Sequence, residues 1–232
     1  SRGLGDVYKR QALMGFFEVR SMDGSNLLMI DGNYRGLFLR QKGVMQTDTV
    51  VSSQYGVSSG TFFINNCVVM PIVAIYSPNG LGCVGALTQL DATTWRASFT
   101  LQAATGTLFE WFAFDALRDS DLSSYGLWIR NLQNQPIFDA LRKPKRVVDS
   151  FTLPGEQGST RSYPPGSKYA VAHSGGVWVS SISSGAGQSG YVVRLPGARV
   201  TNEQITVAPF QIVGQNGSSF EQRRPSNVLV CD

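Results

Sequence analysis

The sequence predicts an all-β protein built from two tandem, weakly related β-sandwich-like units. Three observations point there. Short apolar runs rich in Val, Ile, Phe and Tyr alternate with Gly, Asn, Asp and Ser turn signals along nearly the whole chain. No segment longer than about ten residues carries apolar side chains at the i, i+3, i+4 spacing of an amphipathic helix. The order of runs and turns restarts near residue 122.

The elements follow in order. FFEVR (16–20), LLMID (27–31) and LFLRQ (37–41) are separated by MDGSN and GNYRG, and D-G or G-N turns between β-rich runs are the mark of hairpins. TFFINNCVVMPIVAIYS (61–77) reads as two strands meeting near Asn65–Asn66, or as one long bent strand. Pro71 places part of it at a sheet edge or a bulge, because proline cannot donate to a ladder. TTWRASFTLQ (93–102) alternates, with Trp95, Ala97 and Phe99 on one face and Arg96, Ser98 and Thr100 on the other. LFEWFAFD (108–115) is a further apolar strand, and residues 115–126 read as a linker with room for one helical turn.

Beyond the linker, YGLWIRNLQNQPIFD (125–139) repeats the pattern of MGFFEVRSMDGSNLLMID (14–31). Val19-Arg20 falls on Ile129-Arg130, and Ile30-Asp31 on Phe138-Asp139. SKYAVAHSGGVWVSSIS (167–183) takes the place of GTFFINNCVVMPIVAIYS (60–77). The halves end alike, with FEWFAFD closing at Asp115 and NVLVCD at Asp232. The expected units are therefore 14–118 and 122–232, with a single sandwich as the alternative. Two repeats are too few for a solenoid.

Residues 1–11, SRGLGDVYKRQ, stand apart: they have no apolar face and no strand alternation. The string resembles, codon for codon, the in-frame translation of a transposase-based sequencing adapter, so it is expected to be non-native and to lie outside the fold, with the native start at Met14. Leaving it out lowers Lys+Arg from 20 to 17 and Asp+Glu from 16 to 15, and the net charge from +4 to +2. A nucleic-acid partner argued from bulk charge is then poorly supported. Charged residues make up 16% of the chain, against roughly 25% in an average soluble domain. Gly, Ser, Asn and Gln carry much of the polarity, which suits a β-rich surface covered by neighbours. No apolar run approaches the ~20 residues of a membrane span. Cys67, Cys83 and Cys231 are odd in number and lack metal spacing, and read as buried free thiols.

Two motifs mimic enzyme signatures. GVSSG (56–60) satisfies G-x-S-x-G, but a nucleophile elbow needs a helix after it, and TFFINN reads as a strand. Its only candidate base is His173, the sole histidine. GAGQSG (185–190) satisfies G-x-G-x-x-G, yet strands flank it on both sides, so it reads as a hairpin loop and no dinucleotide is expected. His173 alone cannot build a zinc site with three scattered cysteines, and is expected at a strand end. Asp115, Asp119 and Asp121 on the linker read as a solvated face. No catalytic, cofactor or metal residue is assigned. The strong basic cluster is RKPKR, where Arg142, Lys143, Lys145 and Arg146 form a candidate assembly interface.

Residues 14–232 resemble small proteins encoded among the tail-tip genes of tailed bacteriophages. The resemblance is carried by GFFEVRSMDGSNLLMID, by YGLWIRNLQNQPIFDALRKPKRVVD and by GSKYAVAHSGGVWV. Gly126, Leu127, Ile129, Asn131, Asn134, Phe138 and Asp139 fill the family's central pattern, followed by Arg142, Arg146, Val147, Val148 and Asp149. The first half departs from it, with Glu18 and Ser21 where the second has Trp128 and Asn131. The resemblance implies a non-enzymatic virion component made in the bacterial cytoplasm, at the tail tip or tail fibre. It would pack against other virion proteins in a symmetric homo-oligomer and contact a host surface receptor. A capsid decoration protein and a cell-wall-directed hydrolase using Ser58 and His173 are the alternatives.

Overall fold

The computed structural model describes residues 18–20, 28–31 and 36–232, except 132, 143, 154–156, 174–177, 185–187, 217–221 and 224–225. For 18–20, 28–31, 178–184, 188–192, 213–216 and 222–223 the description is of the backbone. The SRGLGDVYKRQ segment lies outside the described residues.

The described chain is all β. Its strands are β1 (Glu18–Arg20), β2 (Leu28–Asp31), β3 (Leu37–Gln46), β4 (Thr49–Ser52), β5 (Val57–Ile64), β6 (Ile72–Tyr76), β7 (Leu81–Gln89), β8 (Trp95–Gln102) and β9 (Leu108–Ala116), then, after a single 3-10 turn at Asp119–Asp121, β10 (Trp128–Arg130), β11 (Pro136–Asp139), β12 (Val147–Leu153), β13 (Ser159–Ser162), β14 (Ala170–His173), β15 (Trp178–Ser184), β16 (Gln188–Val200), β17 (Gln204–Asn216), β18 (Gln222–Arg223) and β19 (Ser226–Cys231). The TFFINNCVVMPIVAIYS run resolves into two strands, β5 and β6, in different sheets, with Asn66 in the left-handed region at φ 60°. Pro71 marks neither an edge nor a bulge. It sits just ahead of β6, a strand paired on both sides, where a missing N–H costs no ladder bond.

The chain forms two compact units, and they cut across the expected boundaries at 14–118 and 122–232. One holds the described residues up to Phe38 together with Asp115–Pro144; the other holds Leu39–Phe114 and Lys145–Asp232. The physical reason is that strands from both halves hydrogen-bond within the same two sheets.

The first unit contains two hairpins. β1 pairs with β2 through Glu18↔Asp31, Val19↔Ile30 and Arg20↔Leu28, with a bulge between Val19 and Arg20. β10 pairs with β11 through Trp128↔Asp139, Ile129↔Phe138 and Arg130↔Pro136, with a bulge between Ile129 and Arg130. Register and bulge are those of the sequence repeat, residue for residue.

The second unit is a sandwich of a six-stranded sheet, β12-β19-β14-β6-β9-β3, and a nine-stranded sheet, β13-β17-β16-β7-β8-β5-β4, with β15 and β18 beside β16. Both orders read as palindromes of the chain's two halves. β6 meets β14 at Ile75↔Val171, and β7 meets β16 at Gly82↔Ala198. Outward from these seams the pairings correspond. Ile75↔Trp111 in the first half matches Val171↔Val230 in the second. Ser58↔Leu101 and Gly60↔Phe99 match Ser159↔Val207 and Arg161↔Ile205. The sandwich is thus an internal duplication about a pseudo-two-fold axis through the seams.

Along the central strands alternation puts the apolar side chains between the sheets. In the first half Phe62, Ile64, Val73, Ile75, Phe99, Leu101, Phe109 and Trp111 form one cluster, with Phe99 and Phe109 ring centres 3.8 Å apart and Phe62 stacked on Trp111 at 4.4 Å. In the second half Leu153, Tyr169, Val171, Val200, Ile205, Val207, Val228 and Val230 form the counterpart. Val57, Cys83 and Phe210 form a third cluster that draws on both halves. Gly60 keeps Phe99 in place, since a Cβ there would lie 2.8 Å from its ring. Across the seam Lys168 pairs with Glu110 and lies 4.5 Å from the Tyr76 ring centre, while Tyr76 Oη donates to Asn202 Oδ1 at 3.2 Å.

Candidate functional site

Gly126, Leu127, Ile129, Asn131, Asn134, Phe138 and Asp139 belong to one local object, the β10–β11 hairpin and the turns that flank it. Asn131 folds the hairpin loop: its Oδ1 accepts from the Gln133 and Gln135 amides at 3.1 and 2.9 Å, the side-chain mimic of a backbone turn that asparagine makes well. Asn134 takes the left-handed conformation at φ 60°, and Gly126 sits at φ 108°, where a side chain would be strained. Arg130, at the bulge, donates to the Asn134 carbonyl at 2.7 Å and pairs with Asp119 at 2.6 Å, its guanidinium 5.3 Å from the Trp128 ring centre.

Asp139 locks the hairpin to the linker. It is fully buried and accepts from the Ser123 amide and hydroxyl at 2.8 and 2.9 Å and from the Leu141 amide at 2.9 Å. Burial alone would raise its pKa. The hydrogen bonds from Ser123 and Leu141, helped by the Arg142 charge, outweigh it and hold the carboxyl below its usual value. Beside exposed polar residues such as Gln133 and Gln135, this frame leaves large apolar side chains in solvent. Tyr125, Leu127, Trp128 and Leu141 are 74%, 60%, 45% and 54% exposed. Sequence reasoning missed them as a group. The available signal was Trp128, which stands where the first hairpin has Glu18.

The basic cluster is divided between the two compact units. Arg142 belongs to the hairpin unit and donates through Nε and Nη2 to the Asp121 carbonyl, the former at 2.9 Å. Lys143 lies outside the described residues. Lys145 and Arg146 belong to the sandwich. Burial pushes the Lys145 ammonium below its usual pKa, against the opposing pull of the Cys231 sulfur. Arg146 forms a two-pronged bond to Asp232, at 2.9 and 2.6 Å, while keeping 70% of its side chain exposed. Arg142 and Arg146 therefore serve intramolecular anchoring, and both remain solvent-facing.

The enzyme-like motifs resolve as framework. Ser58 lies inside strand β5, is buried, and donates from Oγ to the Ala103 carbonyl at 2.7 Å; no helix follows it. The described part of GAGQSG opens strand β16, which pairs with β15 down to Ser184↔Gln188, as a hairpin would. His173 ends β14, as expected from sequence, but both its ring nitrogens are buried without a hydrogen-bond partner. The Asp cluster is not one solvated face: Asp115 is fully buried, Asp119 pairs with Arg130, and an Asp121 carboxylate oxygen accepts from the Arg118 amide at 2.8 Å. All three cysteines are buried and outside any disulfide, and burial raises the Cys83 thiol to about 12. Among the described residues no cluster of three or more His, Cys, Asp or Glu side chains is placed to hold a metal, and no helix is long and apolar enough to cross a membrane.

Comparison with protein-family models, with curated proteins and with solved structures finds no match to this chain.

Proposed function

We propose that this chain is a non-enzymatic structural protein of a tailed-phage virion, placed at the tail tip or tail fibre. Its hairpin unit would dock on other tail proteins. The observation that carries the reading is the β10–β11 hairpin. Gly126, Leu127, Ile129, Asn131, Asn134, Phe138 and Asp139 of the phage-like pattern lie in it and its flanking turns, which leave four large apolar side chains exposed. Exposed apolar clusters of this kind mark protein contacts. Arg142, solvent-facing in the same unit, would contribute to the polar rim of such a contact in a symmetric homo-oligomer. A host surface receptor would be met by loops left free after assembly.

The test is co-purification and labelling. The full chain is expected to co-purify with tail proteins of the phage that encodes it, and Trp128→Ser with Leu127→Ser should weaken that association at least tenfold. Gold-labelled antibody should mark the tail tip of intact virions. Label on the heads would replace the tail reading with a capsid decoration protein. A monodisperse monomer that binds no virion protein would overturn the proposal, as would cleavage of cell-wall glycan or ester that Ser58→Ala abolishes.

A further inference from the structure

Along the β16–β17 ribbon the neighbours of both strands change at one rung, Pro196↔Pro209. On one side of it the ribbon is part of the sandwich: β16 meets β7 at Ala198↔Gly82, and β17 meets β13 from Gln204↔Ser162 to Val207↔Ser159. On the other side the ribbon belongs to an arm. There β15 takes β16 from Trp178↔Arg194 to Ser184↔Gln188, and β18 pairs with β15. Among the described residues no strand flanks the outer side of β17 in this β15–β18 arm, and β16–β17 is the one ladder that runs from sandwich to arm. In the first half the matching connection, β6 to β7, is only the turn Ser77-Pro78-Asn79-Gly80.

The alternation of backbone groups explains the change. The ribbon turn is closed by the Thr201 amide, which donates to the Gln204 carbonyl at 2.9 Å; the Val200 amide points the other way, to the Ser77 carbonyl at 2.9 Å. Successive residues of an antiparallel pair turn their N–H and C=O alternately to the partner and away from it. Ala198 and Pro196 therefore face outward with Val200, and Val207 and Pro209 do so on β17. Ala198 and Val207 use that position to meet β7 and β13. Pro196 and Pro209 have no N–H to offer there. Within the ribbon the bonds fall at Gly197↔Ala208 and Leu195↔Phe210, so its own ladder passes the prolines intact. The nine-stranded sheet narrows here to two strands. Two-stranded ribbons twist more than wide sheets and are only marginally stable alone.

One apolar cluster seats this narrow section. Leu195 and Phe210 lie three residues from inward-facing Ala198 and Val207, hence on the opposite face, where they pack with Tyr55, Val57, Leu81 and Cys83 of the first half. Gly197 leaves the Phe210 ring its place, since a Cβ there would lie 2.6 Å from it.

We infer that the Pro196↔Pro209 rung is a hinge on which the β15–β18 arm bends relative to the sandwich, with the Phe210 cluster setting its resting position. The test is a distance measurement between paired spin labels in the full chain. The native thiols are buried, so the labels go on introduced cysteines. Ser183→Cys in β15 with Thr61→Cys in β5 spans the hinge, and Glu203→Cys with Thr61→Cys, both in the sandwich, is the control. The hinge pair should give a distance distribution at least about twice as wide as the control pair. Pro196→Thr with Pro209→Thr returns an outward N–H to each strand and should narrow that distribution toward the control. Each single substitution should narrow it in part, and serves if the double variant misfolds. A hinge pair as narrow as the control would overturn the inference. So would a wide distribution that none of these substitutions narrows.

Discussion

Continuous sheets across the seam make a strong claim about cooperativity: the sandwich should unfold as one unit, although its sequence reads as two. The perturbations are one core truncation on each side of the seam. Phe99 is 1% exposed and packs on Phe109 and Phe62. Truncation to alanine removes a full aromatic ring and leaves a cavity, at a cost of about 3–5 kcal/mol. Val207 is fully buried, opposite Ala198 on the seam strand β16, and Val207→Ala removes two methyls at about 2 kcal/mol. In a domain of this size each kcal/mol shifts the midpoint by about 2–4 °C, so the expected losses are about 6–20 °C and about 4–8 °C. The assay is thermal and urea unfolding, followed by far-UV circular dichroism and by tryptophan fluorescence, which includes buried Trp111 in the first-half core. Both variants should lower one shared sandwich transition, and fluorescence and dichroism should move together. Two resolved sandwich transitions, with Phe99→Ala moving only one and Val207→Ala only the other, would refute the argument and restore two independent sandwiches.

Further outcomes follow from single sites. Asp139→Ala should strip three hydrogen bonds from the hairpin and cost it about 2–3 kcal/mol, read as lost amide protection at Ser123 and Leu141. Since the folded carboxyl is held below its usual value, its contribution is present above about pH 4 and fades as pH falls further. None of the three buried thiols should react with an aromatic disulfide reagent in the native state at pH 8, and all three should react in denaturant; fast native labelling of Cys83 would contradict its burial. Gly197→Ala places a Cβ 2.6 Å from the Phe210 ring and 3.0 Å from Leu81 Cβ, and should destabilise the third cluster by about 1–3 kcal/mol in urea titrations.

Element type was legible because alternation is a local property. Ala97, Phe99 and Leu101 are buried along β8 as the period of two requires, and the one helical turn fell within the linker. The hairpin register was legible too, since Arg and Asp close both copies at the same rungs. Which strands share a sheet was not legible. Alternation says that a face is buried and nothing about its neighbour, and the β7–β16 seam is made at Gly82 and Ala198, two small residues without signature. Partners distant in sequence were hidden for the same reason: Arg146 reads as part of a basic patch until Asp232, 86 residues on, is seen against it. His173 was placed at a strand end by the Ser-Gly-Gly after it, but that polar neighbourhood gave no sign that the ring turns inward.

The duplication supplies its own control for function. A feature present at matched positions in both halves is explained by the shared scaffold, and a feature present in one half needs a separate account. Ser58 falls under the first rule. Its counterpart by strand pairing is Ser159, followed by Thr160 as Ser58 is by Ser59, so a hydroxyl at this rung belongs to the framework. The closing aspartates, Asp115 and Asp232, fall there as well. Trp128 against Glu18 and the β15–β18 arm against Ser77-Pro78-Asn79-Gly80 fall under the second. If the chain works by packing into an assembly, these two differences let two similar halves meet unlike neighbours. Exchanging them singly between the halves, Trp128→Glu first, should therefore change binding while leaving the shared sandwich transition in place.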